Sequence, residues 1–424
     1  MTATITNVSG LQVLDSRGRP TVCALITLSD QSVHKVTVPS GASTGRHEAL
    51  ELRDTNSQRA EKFYSGKSVS LAVSHINELI APTMIGLVPD VATIDQIMIQ
   101  LDPTPRHEKL GANATLAVSL ATLKAGAHSH RQSIARYLQP TGKLQLPMPM
   151  VNILSGGAHA NGALDIQDVL VIPHGATSFS QALSWVVAIR ESAAKRGAEQ
   201  GFTTNLVADE GGLGIPFASS AKACEFVAQC IESVGLTAGH EVSIALDIAA
   251  TQFFNDGQYV SRNSGKTFTS EQWSQQLLEL LDQAPIISIE DPFAEDDWAA
   301  WKSFMTQLPR SIAVVGDDLF TTNAARLAQG IQEKSANSIL IKPNQNGLVS
   351  STFDVLSRAK MSNFATIVSA RSGESEDTWL ADIATGWSAG QIKVGSTHGS
   401  ERTAKWNRLL ELEHSDETVF TNPF

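Results

Sequence analysis

Cysteine is scarce in this 424-residue chain. The three present, Cys23, Cys224 and Cys230, form an odd set without paired CxxC spacing, which excludes both a disulfide framework and a cysteine zinc site. A reducing compartment such as the cytoplasm fits. Long hydrophobic runs are also missing: nowhere do 18 consecutive apolar residues occur, so no membrane span is readable. Met1 to Gly10 has neither a basic start nor a long apolar stretch, and no export signal is expected from it. Positive charge is in short supply, with a formal net charge of -11 that repels nucleic acid and anionic membranes. A small anion is still admissible where a few Lys and Arg converge around a metal. Internal repeats and low-complexity tracts do not stand out.

What is present is a globular composition, 42% hydrophobic and 18% charged, able to bury a large interior. A (β/α) barrel takes about 250 residues, so the length suggests an α/β chain with a barrel and a smaller domain. From Ile5 to Pro39 the chain reads as β-rich segments broken by turns at Asp15-Ser16-Arg17-Gly18 and Ser29-Asp30, the grammar of an antiparallel meander. Helical stretches follow at Ser70 to Ile80 and Ala112 to Ala127, the second apolar nearly all round and therefore buried. This places an N-terminal α+β domain at 1–139 and a barrel domain at 140–424, with the proline-rich segment Pro140 to Pro149 as linker.

Beyond the linker, short apolar runs each close on a polar residue: Val242 to Ile248, Ile286 to Asp291, Ile312 to Asp318, Ser338 to Lys342, Ala365 to Arg371 and Gly390 to Lys393. Helical faces separate them, such as Ala223, Phe226, Val227, Cys230, Ile231 and Val234, then Trp273, Leu277, Leu280 and Leu281, then Ala324, Leu327, Ala328 and Ile331. The alternation suits a barrel or an open doubly wound sheet, and the number of units favours the barrel.

The strand ends carry Asp247, Glu290, Asp317, Lys342, Arg371 and Lys393 in that order. In a barrel the carboxyl ends of the strands meet at one face, so residues scattered along the chain converge there. Any one of them reads most simply as a helix cap or a solvated loop residue. Three acids followed by Lys, Arg and Lys are sorted by charge, which capping does not require. Three carboxylates without His or Cys form a hard oxygen site suited to Mg²⁺ or Mn²⁺. A cation near Lys342 is expected to lower its pKa and make it a base for a proton next to a substrate carboxylate. The planar fork of Arg371 suits a phosphate or a carboxylate.

With these residues in view, the chain resembles the enolase family. The stretches that carry the resemblance include LDSRGRPTV, VPSGASTGRHEALELRD, LGANATLAVSLA, SGGAHANGALDIQD, ADEGG, ALDIAA, SIEDPF, GDDLF, SILIKPNQ, RSGESEDT and GQIKVGS, in the family's order through nearly the whole chain. The resemblance implies two Mg²⁺ per active site, with Asp247, Glu290 and Asp317 as ligands of one and Ser43, in the SGASTG loop, meeting the second. It implies Lys342 as base and Glu210 as acid, with Asp168 the second acidic residue beside it. Arg371 and Ser372 become phosphate contacts, Lys393 the second lysine at the substrate carboxylate, and His159 and Gln167 further substrate contacts. The family reaction is the reversible dehydration of 2-phosphoglycerate to phosphoenolpyruvate in glycolysis and gluconeogenesis. Its members are cytoplasmic homo-oligomers, dimers or octamers, also found at the cell surface.

Two positions depart from the family pattern. Asp168 stands where the family has Glu, shorter by one carbon–carbon bond, and Ala370 replaces the His of the family's VSHRSGE. The departures raise a second reading, an enolase relative of specialised metabolism acting on a related phosphorylated or phosphonylated carboxylate. A non-catalytic binding scaffold is a third. Glu374, Glu376 and Asp377 read as the acidic start of a helix.

Overall fold

The computed structural model describes residues 3–42, 45–54, 63–309, 311–415 and 418–424. Three N-terminal strands, β1 (Ile5–Leu14), β2 (Pro20–Leu28) and β3 (Val33–Thr37), form the expected antiparallel meander in the order β1-β2-β3. The first turn is closed by Asp15, whose Oδ1 accepts the backbone N–H groups of Arg17 (2.8 Å) and Arg19 (2.9 Å).

Helix α1 (Ala112–Ser129) is buried along nearly its whole length, as its all-round apolarity requires. The expected helix from Ser70 to Ile80 is instead broken into α-helix Ser70–His75, a π-helical turn Ile76–Ile80 and a last turn Ala81–Met84. Ala72, Ile76, Ile80 and Met84 are all fully buried. A strict spacing of four drifts around a helix of about 3.6 residues per turn, and the wider π turn keeps all four on the core side.

Eight strands close the barrel: β4 (Met148–Ser155), β5 (Asp168–Ile172), β6 (Ser243–Asp247), β7 (Ile286–Glu290), β8 (Ala313–Gly316), β9 (Ser338–Ile341), β10 (Ala365–Ser369) and β11 (Gln391–Gly395). All neighbours run parallel except β5, which is antiparallel to β4 and β6. The last six strands coincide with the six apolar runs. The first two escaped the sequence reading for physical reasons. Strand β4 is buried at all eight positions, so it lacks alternation, and its Met148 and Pro149 read as the tail of a proline linker. Strand β5 is short and follows a glycine-rich stretch.

Inside the barrel Met148, Met150, Leu170, Ile172, Ala245, Val315, Leu340 and Ile367 form a cluster of their own. The expected helix face at Ala223, Phe226, Val227, Cys230 and Ile231 is buried on helix Ser220–Ser233, as is that of Trp273, Leu277 and Leu280 on helix Ser270–Gln283. On helix Ala324–Glu333 the buried residues are Leu327 and Gly330. Ala328, expected on the core face, is exposed instead, and the Phe320 ring packs against Gly330, where a Cβ would lie 2.3 Å from it. The three cysteines are free and buried.

Candidate active site

The charged strand ends share one mouth of the barrel because the ladder sets their height. Glu290 is in register with Asp247, and Asp247 with Asp168. Asp317 and Lys342 follow β8 and β9 by one residue, Arg371 lies just past β10, and Lys393 is within β11. The ammonium of Lys393 donates to Asp247 Oδ2 (2.7 Å) and Glu290 Oε2 (2.8 Å), and that of Lys342 donates to Asp317 Oδ2 (2.5 Å). Gln345 Nε2 donates to Asp317 Oδ1 (2.8 Å), and Gln167 Nε2 to Asp247 Oδ2 (3.1 Å).

Burial and the charge of Asp247 push the Glu290 carboxyl up to about 8, against the pull of Lys393. Burial would lower Lys342, but the Asp317 carboxylate outweighs it and holds the amine above its ordinary value. With Asp317 as its nearest charge the amine stays high; the expected lowering of Lys342 belongs to the state in which a cation stands beside it. Asp317 is held below the usual carboxylate range, since the Lys342 charge overcomes the effect of burial.

Two acidic residues missed from the sequence support this half. Asp291, in a left-handed conformation at φ 42°, accepts the backbone N–H of Asp317 (2.9 Å) and of Asp318 (2.7 Å). Glu48, from the N-terminal domain, pairs with Arg371 Nη1 (3.0 Å), which also donates to Asn344 Oδ1 (2.9 Å). Glu48 lies within VPSGASTGRHEALELRD, and its charge in a glycine-rich segment was the only signal available. Ser43, in the same segment, lies outside the described residues. Glu374 does not start a helix: it pairs with Lys405 (3.0 Å) and accepts the N–H of Arg371 (3.1 Å). The helix begins later, at Trp379.

A second cluster adjoins the first at Asp168, the ladder neighbour of Asp247. Asp168 Oδ1 accepts from Asn152 Nδ2 (2.5 Å) and Ser155 Oγ (2.9 Å), while Oδ2 meets His159 Nδ1 (2.8 Å). The other ring nitrogen of His159 lies 3.6 Å from Glu210 Oε1 and 3.3 Å from Ser372 Oγ. Burial works against the imidazolium, but Asp168 and Glu210 overcome it and raise His159 to about 9. Burial also favours a proton on Asp168, so the pair competes for one. The hydrogen bonds to Asp168 favour its carboxylate and leave that proton on the ring. Next to His159 a cavity of about 490 Å³ opens between Ala158, Ala160, Leu206, Val207 and Asp209.

The structure thus gathers Asp247, Glu290, Asp317, Lys342, Arg371 and Lys393 at one mouth with Gln167, His159, Asp168, Glu210 and Ser372. Among the described residues, the acidic and histidine groups with ligand atoms within 4.8 Å of one another are Asp291–Asp317–Asp318 and His159–Asp168–Glu210. The triad Asp247, Glu290 and Asp317 is not among these groups; Lys393 bridges its first two members and Lys342 holds the third.

Residues 5–138 match a family model described as the enolase N-terminal domain, and residues 143–421 match one described as the enolase C-terminal TIM barrel domain. The chain belongs to the enolase family. At that level it is an enolase-like lyase with candidate acidic metal-binding groups at the barrel mouth. Its enolase barrel carries Asp168 and Ala370 at the two departing positions, Asp168 with both oxygens engaged and Ala370 buried with its N–H on the carbonyl of Lys393 (2.9 Å). No helix among the described residues is long and apolar enough to cross a membrane.

Proposed function

We propose that this enolase catalyses the reversible, Mg²⁺-dependent dehydration of 2-phosphoglycerate to phosphoenolpyruvate, as a cytoplasmic homo-oligomer with a capping domain at 1–139 and a catalytic barrel at 140–424. The observation that carries the reading is the gathering, at one barrel mouth, of two lysines on a buried acid cluster and a His159–Asp168–Glu210 group. The donor set fits magnesium: carboxylate oxygens alone, with Glu290 pushed up to about 8 by crowded buried charge that a divalent cation would relieve. Asp247, Glu290 and Asp317 would hold one ion once Lys393 and Lys342 release them, and Ser43 would meet a second. When bound, Mg²⁺ neutralises the carboxylates, Asp317 among them, and stabilises negative charge that develops on the substrate carboxylate.

Lys342, freed from Asp317, removes the proton at C2, and the electron pair of that C–H bond moves into the substrate carboxylate. Lys393 holds that carboxylate. The C3–O bond then breaks as the pair returns to form the C2–C3 double bond, and Glu210, taking a proton from the neighbouring His159 imidazolium 3.6 Å away, passes it to the departing hydroxyl to give water. Arg371 and Ser372 grip the phosphate, and Gln167 and His159 orient the substrate. Asp168 fixes His159 through Nδ1 and so acts on the leaving-group side through the ring.

Purified protein with Mg²⁺ and 2-phosphoglycerate is expected to generate the ultraviolet absorbance of phosphoenolpyruvate, and chelation is expected to stop it. Folded protein without signal above background rejects the reading. Asp168 and Ala370 favour one competitor, an enolase relative acting on a related phosphorylated or phosphonylated carboxylate. That competitor gains if Asp168→Glu with Ala370→His greatly raises turnover of 2-phosphoglycerate. It fails if the unmodified protein already turns over at about 1–10³ per second.

A further inference from the structure

Arg402 is a buried cation whose hydrogen bonds, among the described residues, all go to main-chain carbonyls. Its side chain has no solvent exposure. Nη1 donates to the carbonyls of Arg371 (2.7 Å) and Val394 (2.9 Å), and Nη2 to those of Ser372 (2.6 Å) and Asp209 (3.3 Å). Glu401 Oε1 lies 3.4 Å from Nε, yet Nε makes no hydrogen bond among the described residues. The charge is thus balanced chiefly by carbonyl dipoles, an arrangement that a planar fork can make and a lysine cannot.

Those carbonyls come from three separate segments of the mouth. Arg371 and Ser372 follow β10, Val394 adjoins Lys393 on β11, and Asp209 adjoins Glu210. Nearby bonds tighten the same junction: Ser396 N–H donates to the Glu210 carbonyl (2.8 Å), and Trp406, one turn beyond Arg402, donates Nε1–H to the Ser396 carbonyl (3.0 Å). The room is fully used, since a Cβ on Gly395 would lie 2.7 Å from the Glu210 carbonyl and 3.1 Å from Arg402 Cδ.

We propose that Arg402 is a positioning residue that sets the spacing between Glu210, Lys393 and the Arg371–Ser372 pair by clamping their three backbone segments with one guanidinium. It touches no substrate and acts through the chain. The proposal rests on the functional reading above for its kinetic consequence, and its structural consequence is independent of the substrate.

The test compares Arg402→Lys and Arg402→Met with the unmodified full chain. Amide hydrogen exchange is expected to quicken together at residues 208–212, 370–373 and 394–397 in both variants, while the amides of β6 to β9 keep their protection. On 2-phosphoglycerate, kcat is expected to fall about a hundredfold, the scale of a displacement of about 1 Å, with a smaller change in KM. Methylguanidine added to Arg402→Ala is expected to restore part of kcat. Loss of protection throughout the barrel would assign Arg402 a general stabilising role and overturn the proposal. So would unchanged exchange, exchange confined to one segment, or kcat within threefold of the unmodified chain. If the unmodified chain does not turn over 2-phosphoglycerate, the functional reading fails while the exchange result still decides the clamp.

Discussion

The two clusters at the barrel mouth are built by different means. Asp247, Glu290, Asp317, Lys342 and Lys393 stand on or immediately after parallel strands, where ladder register sets their height. In the other, His159 and Glu210 come from irregular loops, and Asp168 is on a strand. That cluster is held by side-chain bonds that Asn152, Ser155 and His159 all donate to Asp168. A ladder tolerates substitution at its ends, whereas a side-chain network changes with every atom. Asp168, one of the two family departures, is part of that network.

The comparison can be broken most forcefully at Lys342. Lys342→Met is expected to lower phosphoenolpyruvate formation by about 10²–10⁴-fold without disturbing the strand frame, as circular dichroism would check. Surviving activity would move the chemistry to the other cluster. Next is Asp168→Asn, which keeps the shape but removes the charge facing His159. We expect kcat to fall about a hundredfold with a larger effect on kcat than on KM, and an unchanged kcat would reduce Asp168 to a packing role.

Metal binding should sharpen the contrast. Mg²⁺ at a hundred times its dissociation constant is expected to stabilise the chain by about 2.7 kcal/mol, seen as a rise in Tm. Glu290→Gln should shrink that rise while Asp168→Asn leaves it nearly intact. Equal losses in the two variants would show that the halves are not separable.

The smallest effect is in the pH dependence of stability, where two buried histidines have opposite signs. His159 is raised to about 9, so its contribution is full below its unfolded value near 6.5 and is lost as pH rises towards about 9. His107 is lowered, chiefly by burial and against Asp102, so its contribution is present above that unfolded value and lost as pH falls through its folded one. Each limb has a slope of at most about 1.4 kcal/mol per pH unit. His159→Gln should flatten the alkaline limb and His107→Gln the acid limb in a Tm series, and a variant that alters the other limb would refute the assignment.

The sequence was most legible where a periodic pattern meets a charged terminus. Six barrel strands and their end residues could be read because each apolar run stops at a charged or polar residue. Strand β4 was hidden by complete burial and by Pro149. Glu48 and Asp291 were hidden because their partners, Arg371 and the Asp317–Asp318 backbone, are distant in the chain or bonded through the main chain. Arg402 carried no signal at all, since its ligands are carbonyls, which every residue possesses.

By itself the sequence determined the α+β start, the alternating barrel units and the charge-sorted strand ends, because these depend on local periodicity and on the order of residues. Only the tertiary structure decided that Lys393 spans two acids, that Asp317 pairs with Lys342, and that one buried guanidinium joins three backbone segments. Such relations depend on distance and burial between residues far apart in the chain, and neither quantity is written in their order.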